Sequence, residues 1–301
     1  MAGAAKSRIA KRTEPKPRPA TRDPGWVAIA LIAVALGFLG LFVVLPLTIV
    51  FYEAFKQGFD PFITALSDPD TLSAIKLSLL TVALAVPLNI VFGIAAAWAI
   101  GRFDFPGKSF LVTLIDLPFA VSPVVSGMVF VLLFGTRGLL GPYLEPAGIK
   151  IVFALPGIVL ATAFVTFPFV ARELIPFWQT QSRDQEEAAL ILGAKPWTMF
   201  WKVSLPTARY ALLYGVVLAT ARALGEFGAV SVVSGHIRGQ TNTLPLHIEV
   251  LYGEYQFQGA FAVASLFAVF GLGTLVAQWL LERRIANDAA DERSAEQQPT
   301  G

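Results

Sequence analysis

The sequence lacks cysteine altogether and contains only two histidines, His236 and His247, among its 301 residues. The absence of cysteine excludes disulfide bonds, thiolate metal sites and a cysteine nucleophile. The two histidines have no ligand-spaced group of carboxylates beside them, so they do not make up the ligand set of a metal centre. We therefore expect no catalytic residue, no metal site and no cofactor bound by this chain.

Charged residues are also scarce: they make up 15% of the chain, against about 25% in an average soluble domain. Hydrophobic residues account for 55%, and the mean hydropathy is +0.64. They are concentrated in long runs, and about 20 apolar residues in a helix cross the hydrocarbon core of a membrane. The composition excludes an ordinary soluble enzyme and predicts an all-α polytopic membrane protein.

Six runs are long enough to span a membrane. A polar, basic arm at residues 1–25 precedes them, and its alternating prolines disfavour helix, so we expect it to be disordered. The run from Trp26 to Tyr52 is longer than the apolar core of a signal peptide, which predicts an uncleaved first span. A flexible tail is expected at 286–301. The other spans are expected near residues 72–100, 110–134, 151–178, 207–233 and 259–281.

The basic residues predict the orientation of these spans, because cytoplasmic loops carry an excess of Lys and Arg. With the amino terminus inside, 17 of the 23 Lys and Arg residues belong to the arm, the inner loops and the tail. Five belong to the outer loops, and Arg222 lies within a span. This distribution predicts that both termini are cytoplasmic.

Two other classes of membrane protein fit less well. An intramembrane enzyme needs a nucleophile with a base, paired carboxylates or a metal cluster within its spans. The charges available there are Arg222, Glu226 and, nearer the span ends, Lys76 and Asp116. A self-sufficient channel or ion-driven transporter does not need an ordered cytoplasmic docking segment, and the longest inner loop has the features of one.

This inner loop, at about residues 180–206, is predicted to form two short helices. Asp184 and Glu187 have the spacing of a capping box at the start of the first helix. Gly193 suits the position just after its end, and Pro196 suits the first turn of the second helix. A helix lying on the bilayer would need a basic polar face, whereas this segment begins with acidic residues. We therefore interpret it as a rigid segment that docks onto a partner protein.

The same loop carries a family pattern. The residues Glu187-Ala188-Ala189, then Gly193 after three residues, then Val203-Ser204-Leu205-Pro206 after nine, resemble the complete EAA motif of ABC-importer permeases. The resemblance implies a type I ABC-importer permease fold of six transmembrane helices across residues 26–285. It also implies that this loop couples to a separate ATPase subunit. The implied coupling residues are Glu187, Ala188, Ala189, Gly193, Leu205 and Pro206.

Further segments resemble the sulfate branch of this family. Residues 222–229 are similar to a fifth-span signature of sulfate, thiosulfate, molybdate and tungstate permeases. Residues 102–108, 116–123 and 234–241 are more similar to sulfate permeases, especially the W-type subunit. The resemblance implies a multi-pass permease of the bacterial inner membrane that forms the path for sulfate or thiosulfate and has no ATPase site of its own. The alternative is a molybdate or tungstate permease acting as a homodimer.

The resemblance also implies the partners of the chain. They are a T-type sister permease in a heterodimer, two ATP-binding subunits that hold the ATP and magnesium, and an extracytoplasmic sulfate- or thiosulfate-binding protein. The lipid bilayer surrounds the spans, and no nucleic acid is involved.

Two charges, Arg222 and Glu226, are expected near the middle of the fifth span. An arginine there costs on the order of 2.5–3.5 kcal/mol, so it should face water or a partner. One hypothesis is that Arg222 lines the pathway of a dianion. The other is an ion pair with Glu226, four residues on, that only satisfies both charges. Gly225 and Gly228 beside them suit close helix packing, with a hinge as the alternative.

The third span is predicted to be broken. Pro118 and Pro123 interrupt it, and Ser122 and Ser126 lie beside the break, so freed backbone groups and these hydroxyls are candidates to line the pathway. Asp116 would repel an anion, and we expect it to form a structural ion pair or to lie near the cytoplasmic interface instead.

The long outer loop from Ser234 to Gln258 contains several glycines and a proline. We predict that its polar residues Arg238, Gln240 and Thr241 belong to the docking surface for the external binding protein. The alternative is an ordinary solvated loop.

Overall fold

The structure, a computed structural model, describes residues 25–296. The predicted arm, apart from Gly25, and residues 297–301 of the predicted tail lie outside the described residues. Every regular element within 25–296 is helical, as predicted. Four helices there are long and apolar enough to cross a membrane unbroken. Two bent pairs, Lys108–Ala120 with Pro123–Phe134 and Pro196–Thr207 with Arg209–Leu224, bring the number of candidate spans to as many as six when each pair is counted as one span.

The helices are numbered in chain order. They are α1 (Gly25–Leu39), α2 (Leu45–Phe55), α3 (Phe59–Ser67), α4 (Pro69–Arg102), α5 (Lys108–Ala120), α6 (Pro123–Phe134), α7 (Gly141–Leu144), α8 (Leu155–Thr180), α9 (Asp184–Ile191), α10 (Pro196–Met199), α11 (Leu205–Thr207), α12 (Arg209–Leu224), α13 (Gly228–Ser234), α14 (Leu244–Gly253) and α15 (Phe257–Glu296).

The first span is one continuous helix in which α1 passes through a π-helical turn, Gly40–Val44, into α2. It contains no charged residue before Glu53, and most of its side chains are exposed. Because such a surface is stable only in an apolar surrounding, this helix has the properties of a lipid-facing span.

The second of the two compact units of the chain begins at Ile49, and its centre is formed by α4 and α8. Small residues bring these helices close together, since a Cβ atom added to Gly93 would lie 2.7 Å from Val170 Cγ1 and one added to Gly101 would lie 2.7 Å from Trp178 Cβ. The third helix of this core is α12, whose Gly215 faces the backbone of Val170. The membrane interior of this unit therefore combines close backbone approach at glycines with large buried side chains such as Trp178 and Leu174.

The third span is broken, as predicted, with α5 and α6 meeting at an angle of 107°. Pro118 is accommodated inside α5, and the break lies at Val121 and Ser122. Pro123 is the first residue of α6, and proline disfavours the helical conformation of the residue before it, so Ser122 is extended. The proline at the break, not the one in the helix, causes the bend.

The fifth span differs from the predicted continuous helix over 207–233. Its first part, α12, ends at Leu224, and a separate short helix, α13, begins at Gly228. A Cβ atom on Gly228 would lie 2.9 Å from Pro123 Cβ, so the break in this span packs directly against the break in the third. Close packing, predicted for the glycines here, therefore applies to Gly228, whereas Gly225 has ordinary space around it.

Two further differences concern the carboxyl-terminal part of the chain. The outer loop contains a helix, α14, that the sequence patterns did not indicate. The last helix, α15, continues to Glu296, whereas the sequence suggested a span ending near residue 281 and a flexible tail from residue 286. The alanines of this region favour helix.

Candidate functional site

The inner loop forms the two short helices predicted for it, α9 and α10. Gly193 has a left-handed backbone with φ of 87°, its N–H donates to Leu190 O, and the N–H of Ala194 donates to Ala189 O. These two bonds make a Schellman motif, which ends α9 sharply. Pro196 is the first residue of α10, again as predicted.

The predicted capping box at the start of α9 is wrong. The capping position is occupied by Arg183, whose side chain makes no capping hydrogen bond, and Asp184 is already the first helical residue. The hydroxyl of Ser182 accepts from the N–H of Asp184 instead, at 3.2 Å. The three carboxylates of the first turn still interact favourably with the positive end of the helix.

One face of this segment is attached to the ends of the spans. Arg102, the last residue of α4, forms an ion pair with Glu186 of α9 at 2.8 Å, and the hydroxyl of Ser204 donates to the same carboxylate oxygen at 3.0 Å. Arg102 also donates to the carbonyl oxygens of Trp178 and Gln181 at the end of α8. None of these contacts was predicted, because the residues are far apart in sequence.

The opposite face is apolar and exposed. Ile191 and Leu192 are 86% and 88% exposed. Trp197 and Trp201 are also exposed, beside Phe200, whose ring both of them contact. Of the predicted coupling residues, Glu187 and Ala188 lie on the exposed surface with Gly193 and Pro206, while Ala189 and Leu205 are half-buried. Large apolar residues in an otherwise polar loop were the signal for this surface, and they were overlooked. An exposed apolar patch rimmed by charge is typical of a protein interface.

Arg222 and Glu226 form the predicted ion pair, but across the break between α12 and α13. Arg222 Nη1 lies 2.6 Å from Glu226 Oε2, and the other oxygen, Oε1, accepts from the N–H of Ala229 at 2.8 Å. The carboxylate therefore pairs with the end of α12 and caps the start of α13. The Glu226 side chain is 1% exposed, whereas a third of the Arg222 side chain is accessible. This geometry is therefore compatible with both hypotheses for Arg222, the pathway role and the ion pair with Glu226.

The serines beside the other break differ in their environments. Ser126 is buried and its hydroxyl donates to Ser122 O within the first turn of α6, while the side chain of Ser122 is exposed. Of these two serines, only Ser122 therefore has an accessible hydroxyl. Asp116 has the expected structural partner, with Arg172 Nε at 3.5 Å from its Oδ1.

In the outer loop, two of the three predicted docking residues are accessible. Gln240 is exposed, and Arg238 is partly exposed and paired with Glu254. Thr241 is only 3% exposed, and its hydroxyl accepts from the N–H of Ile237. Thr241 therefore stabilises the turn before α14 and cannot be part of an exposed docking surface.

Behind this turn, the His247 ring is buried and lies 3.0 Å, Nε2 to Oγ1, from Thr71. Burial lowers the pKa of His247, and the carboxylates of Asp70 and Asp68 oppose that shift, while Arg238 adds to it. Among the described residues, no group of three or more His, Asp or Glu side chains is arranged to hold a metal ion.

Residues 89–287 match the family of binding-protein-dependent transport system inner membrane components, which is about two thirds of the chain. The chain belongs to this family of membrane proteins. The predicted fold class, an all-α polytopic permease of the type I ABC-importer kind, is confirmed.

Several individual proteins are similar to this chain over most of its length. The chain is 53% identical over 256 residues to the sulfate transport system permease protein CysW of Synechococcus elongatus, covering 85% of this chain and 90% of the relative. It is 47% identical over 277 residues to the CysW protein of Escherichia coli strain K12, covering 92% and 94%. The identity to the probable sulfate transport system permease protein cysT of Zygnema circumcarinatum is 35%, covering 82% and 85%.

Solved structures of ABC transporters have the same fold as this chain. One of them is the crystal structure of a bacterial alginate ABC transporter in complex with an alginate pentasaccharide-bound periplasmic protein. A chain of it superposes with a TM-score of 0.71 over 86% of this chain and 95% of that one. At 19% sequence identity, this similarity concerns the fold alone.

Proposed function

We propose that this chain is a permease subunit of an ABC importer and forms part of the membrane path for sulfate or thiosulfate. The observation that supports this most directly is the two-helix inner segment. It carries the complete EAA pattern, is fixed to the spans on one face and leaves a large apolar surface free on the other. The CysW relatives, which are named as sulfate transport permeases, supply the substrate class.

The partners follow from the same proposal. Two copies of a separate ATP-binding subunit hold ATP and magnesium, and one of them binds the exposed face of α9 and α10. The greater similarity to CysW than to cysT proteins supports a W-type role beside a T-type sister permease. An extracytoplasmic sulfate-binding protein delivers the ligand to the outer loop, where Arg238 and Gln240 are accessible.

The proposed topology has both termini in the cytoplasm of a bacterial cell, with the membrane domain over residues 26–285 and basic residues concentrated inside. The inner segment is then cytoplasmic, where an ATPase can reach it. This chain itself catalyses no reaction, and hydrolysis takes place on the partner.

Within the membrane, we assign Arg222 to the pathway and Glu226 to its support. A partly accessible guanidinium attracts a tetrahedral dianion, and the buried carboxylate moderates that attraction so the anion does not become trapped. Ser122, exposed at the neighbouring break, is the candidate neutral donor to the same ligand.

Uptake of labelled sulfate by cells that express the complete transporter tests the proposal, with deletion of this chain as the control. We expect excess thiosulfate to reduce uptake and excess molybdate to leave it nearly unchanged. Strong competition by molybdate together with poor sulfate uptake would instead support the homodimeric molybdate or tungstate permease. Uptake that persists after deletion would contradict a transport role altogether.

A further inference from the structure

Arg102 connects two helices, α4 and α8, through a single side chain to the coupling segment, which is the two-helix inner segment at about residues 180–206. It ends α4, it donates to the carbonyl oxygens of Trp178 and Gln181 at 2.8 and 3.1 Å, and its other terminal nitrogen pairs with Glu186. The carbonyl oxygens at the end of α8 have no partner within that helix, so the guanidinium caps them. Only arginine has enough donors in a fixed fork to make all these bonds at once.

The connection is reciprocal and largely buried. The Arg183 side chain donates back to the carbonyl oxygen of Arg102 at 3.1 Å, so the residue before α9 caps α4 in turn. The side chains of Arg102 and Glu186 are 6% and 12% exposed. Charged hydrogen bonds removed from water in this way are stronger and more directional than surface ion pairs.

Ser204 extends the connection to the far end of the segment. It is buried in the π-helical turn Phe200–Ser204, just before Leu205, and it donates to the same oxygen of Glu186 that Arg102 binds. The EAA pattern leaves this position open, so the pattern alone gives it no role. Glu186 thereby joins the start of the segment to its end, with Arg102 as the link to the spans.

An aromatic contact lies beside this polar one. The Trp98 ring packs edge-on against Trp178 of α8 at 5.1 Å and against Phe200 of the segment at 5.0 Å, measured between ring centroids. Arg102 also lies over the Trp98 ring. The segment is therefore held on its inner face at two adjacent points, while the apolar face across from them is free.

We propose that Arg102, Glu186 and Ser204 are positioning residues that make the coupling segment move as one body with the inner ends of α4 and α8. This inference rests on the proposed coupling function. Movement of a docked ATPase then reaches two spans at once, whereas a segment attached only by its chain ends would tilt without moving them. None of the three residues needs to touch the ATPase.

The test uses the complete transporter, with sister permease, ATPase and binding protein, reconstituted in liposomes. Arg102→Lys keeps the positive charge but loses the forked set of N–H donors of the guanidinium group. We expect normal assembly and ATP hydrolysis, but about tenfold less labelled sulfate transported per ATP, a size typical of losing a shared polar network. Ser204→Ala should give a smaller loss, and Arg102→Lys with Glu186→Gln should be no worse than Arg102→Lys alone. Arg284→Lys, on the exposed surface of α15, is the matched control.

Hydrogen–deuterium exchange separates positioning from folding. In Arg102→Lys, exchange should be faster in residues 184–191 and unchanged in the middle of α4 and α8. Faster exchange throughout α4 and α8 would indicate a merely structural role and overturn the proposal, as would an unchanged ratio of sulfate to ATP.

A neighbouring variant distinguishes this inference from the coupling assignment itself. Glu187→Gln, on the exposed face, should weaken ATPase retention while exchange in α9 of the free permease stays normal. If Glu187→Gln and Gly193→Pro both retain the ATPase and full transport, the coupling function fails. If they lose it while Arg102→Lys transports normally, only the positioning proposal fails.

Discussion

Arg222 and Glu226 are paired at 2.6 Å across a break in the helix, not along one continuous helical face. The two residues are four positions apart whether the helix is continuous or broken, but the structural role of the pair differs between these two geometries. On a continuous helix the pair would only neutralise two charges, whereas here the carboxylate also caps α13 through the N–H of Ala229. Glu226 therefore fixes the geometry of the break, and Arg222 is the partner that makes a buried carboxylate tolerable.

The first prediction concerns this pair. Arg222→Ala leaves the Glu226 carboxylate buried and unpaired, which should destabilise the permease by about 3 kcal/mol. Adding Glu226→Gln should restore most of the lost stability, because the amide oxygen can still accept from Ala229 and no buried charge remains. Thermal unfolding in detergent measures both changes.

Transport by the same variants separates the two roles of Arg222. If the guanidinium attracts the anion, the Arg222→Ala, Glu226→Gln double variant will be stable but slow in sulfate uptake. Normal uptake by the stable double variant would show that the arginine serves only the ion pair.

The second prediction concerns the end of α9. Gly193 has a left-handed backbone and donates its N–H to Leu190, and proline can provide neither. Gly193→Pro should abolish binding of the ATPase and leave the chain inserted in the membrane, as measured by co-purification. Gly193→Asn is the matched control because asparagine tolerates this backbone conformation. Retention of the ATPase by Gly193→Pro would contradict the coupling assignment.

Local signals explain what could be predicted for this site. A turn glycine and a first-turn proline act within a few residues, so Gly193 and Pro196 were assigned correctly from the sequence. The bend at Pro123 was predictable for the same reason. The spans could likewise be predicted from the lengths of the hydrophobic runs, because the thickness of the bilayer sets how many apolar residues a span needs.

Contacts between distant residues were not predictable in this way. Nothing near Arg102 in sequence indicates Glu186, and nothing near Thr241 indicates that the turn before α14 buries it. The break after Leu224 was missed because Gly225 and Gly228 are compatible with a continuous span, and the close approach of Pro123 becomes visible only in three dimensions.

The third prediction concerns His247 and pH. Burial holds the pKa of this histidine below its unfolded value of about 6.5. The folded state therefore favours the neutral ring, and stability present above pH 6.5 is lost as pH falls toward the lower folded pKa. Melting temperatures in detergent should drop below about pH 6.5. His247→Gln should flatten this dependence, while His236→Gln, at an exposed position, should not.

The fourth prediction concerns the contact between the two helix breaks. A methyl group at residue 228 would lie 2.9 Å from Pro123 Cβ, too close without a shift of one backbone, so Gly228→Ala should destabilise the permease by about 1–3 kcal/mol. Gly225→Ala is the matched control, because the nearest atom to its added methyl group, on Phe267, is 3.6 Å away, an ordinary contact. Thermal unfolding compares the two. Equal stability of both variants would mean that the breaks do not pack tightly. A loss of transport in Gly225→Ala without a change in stability would instead indicate that Gly225 acts as a hinge.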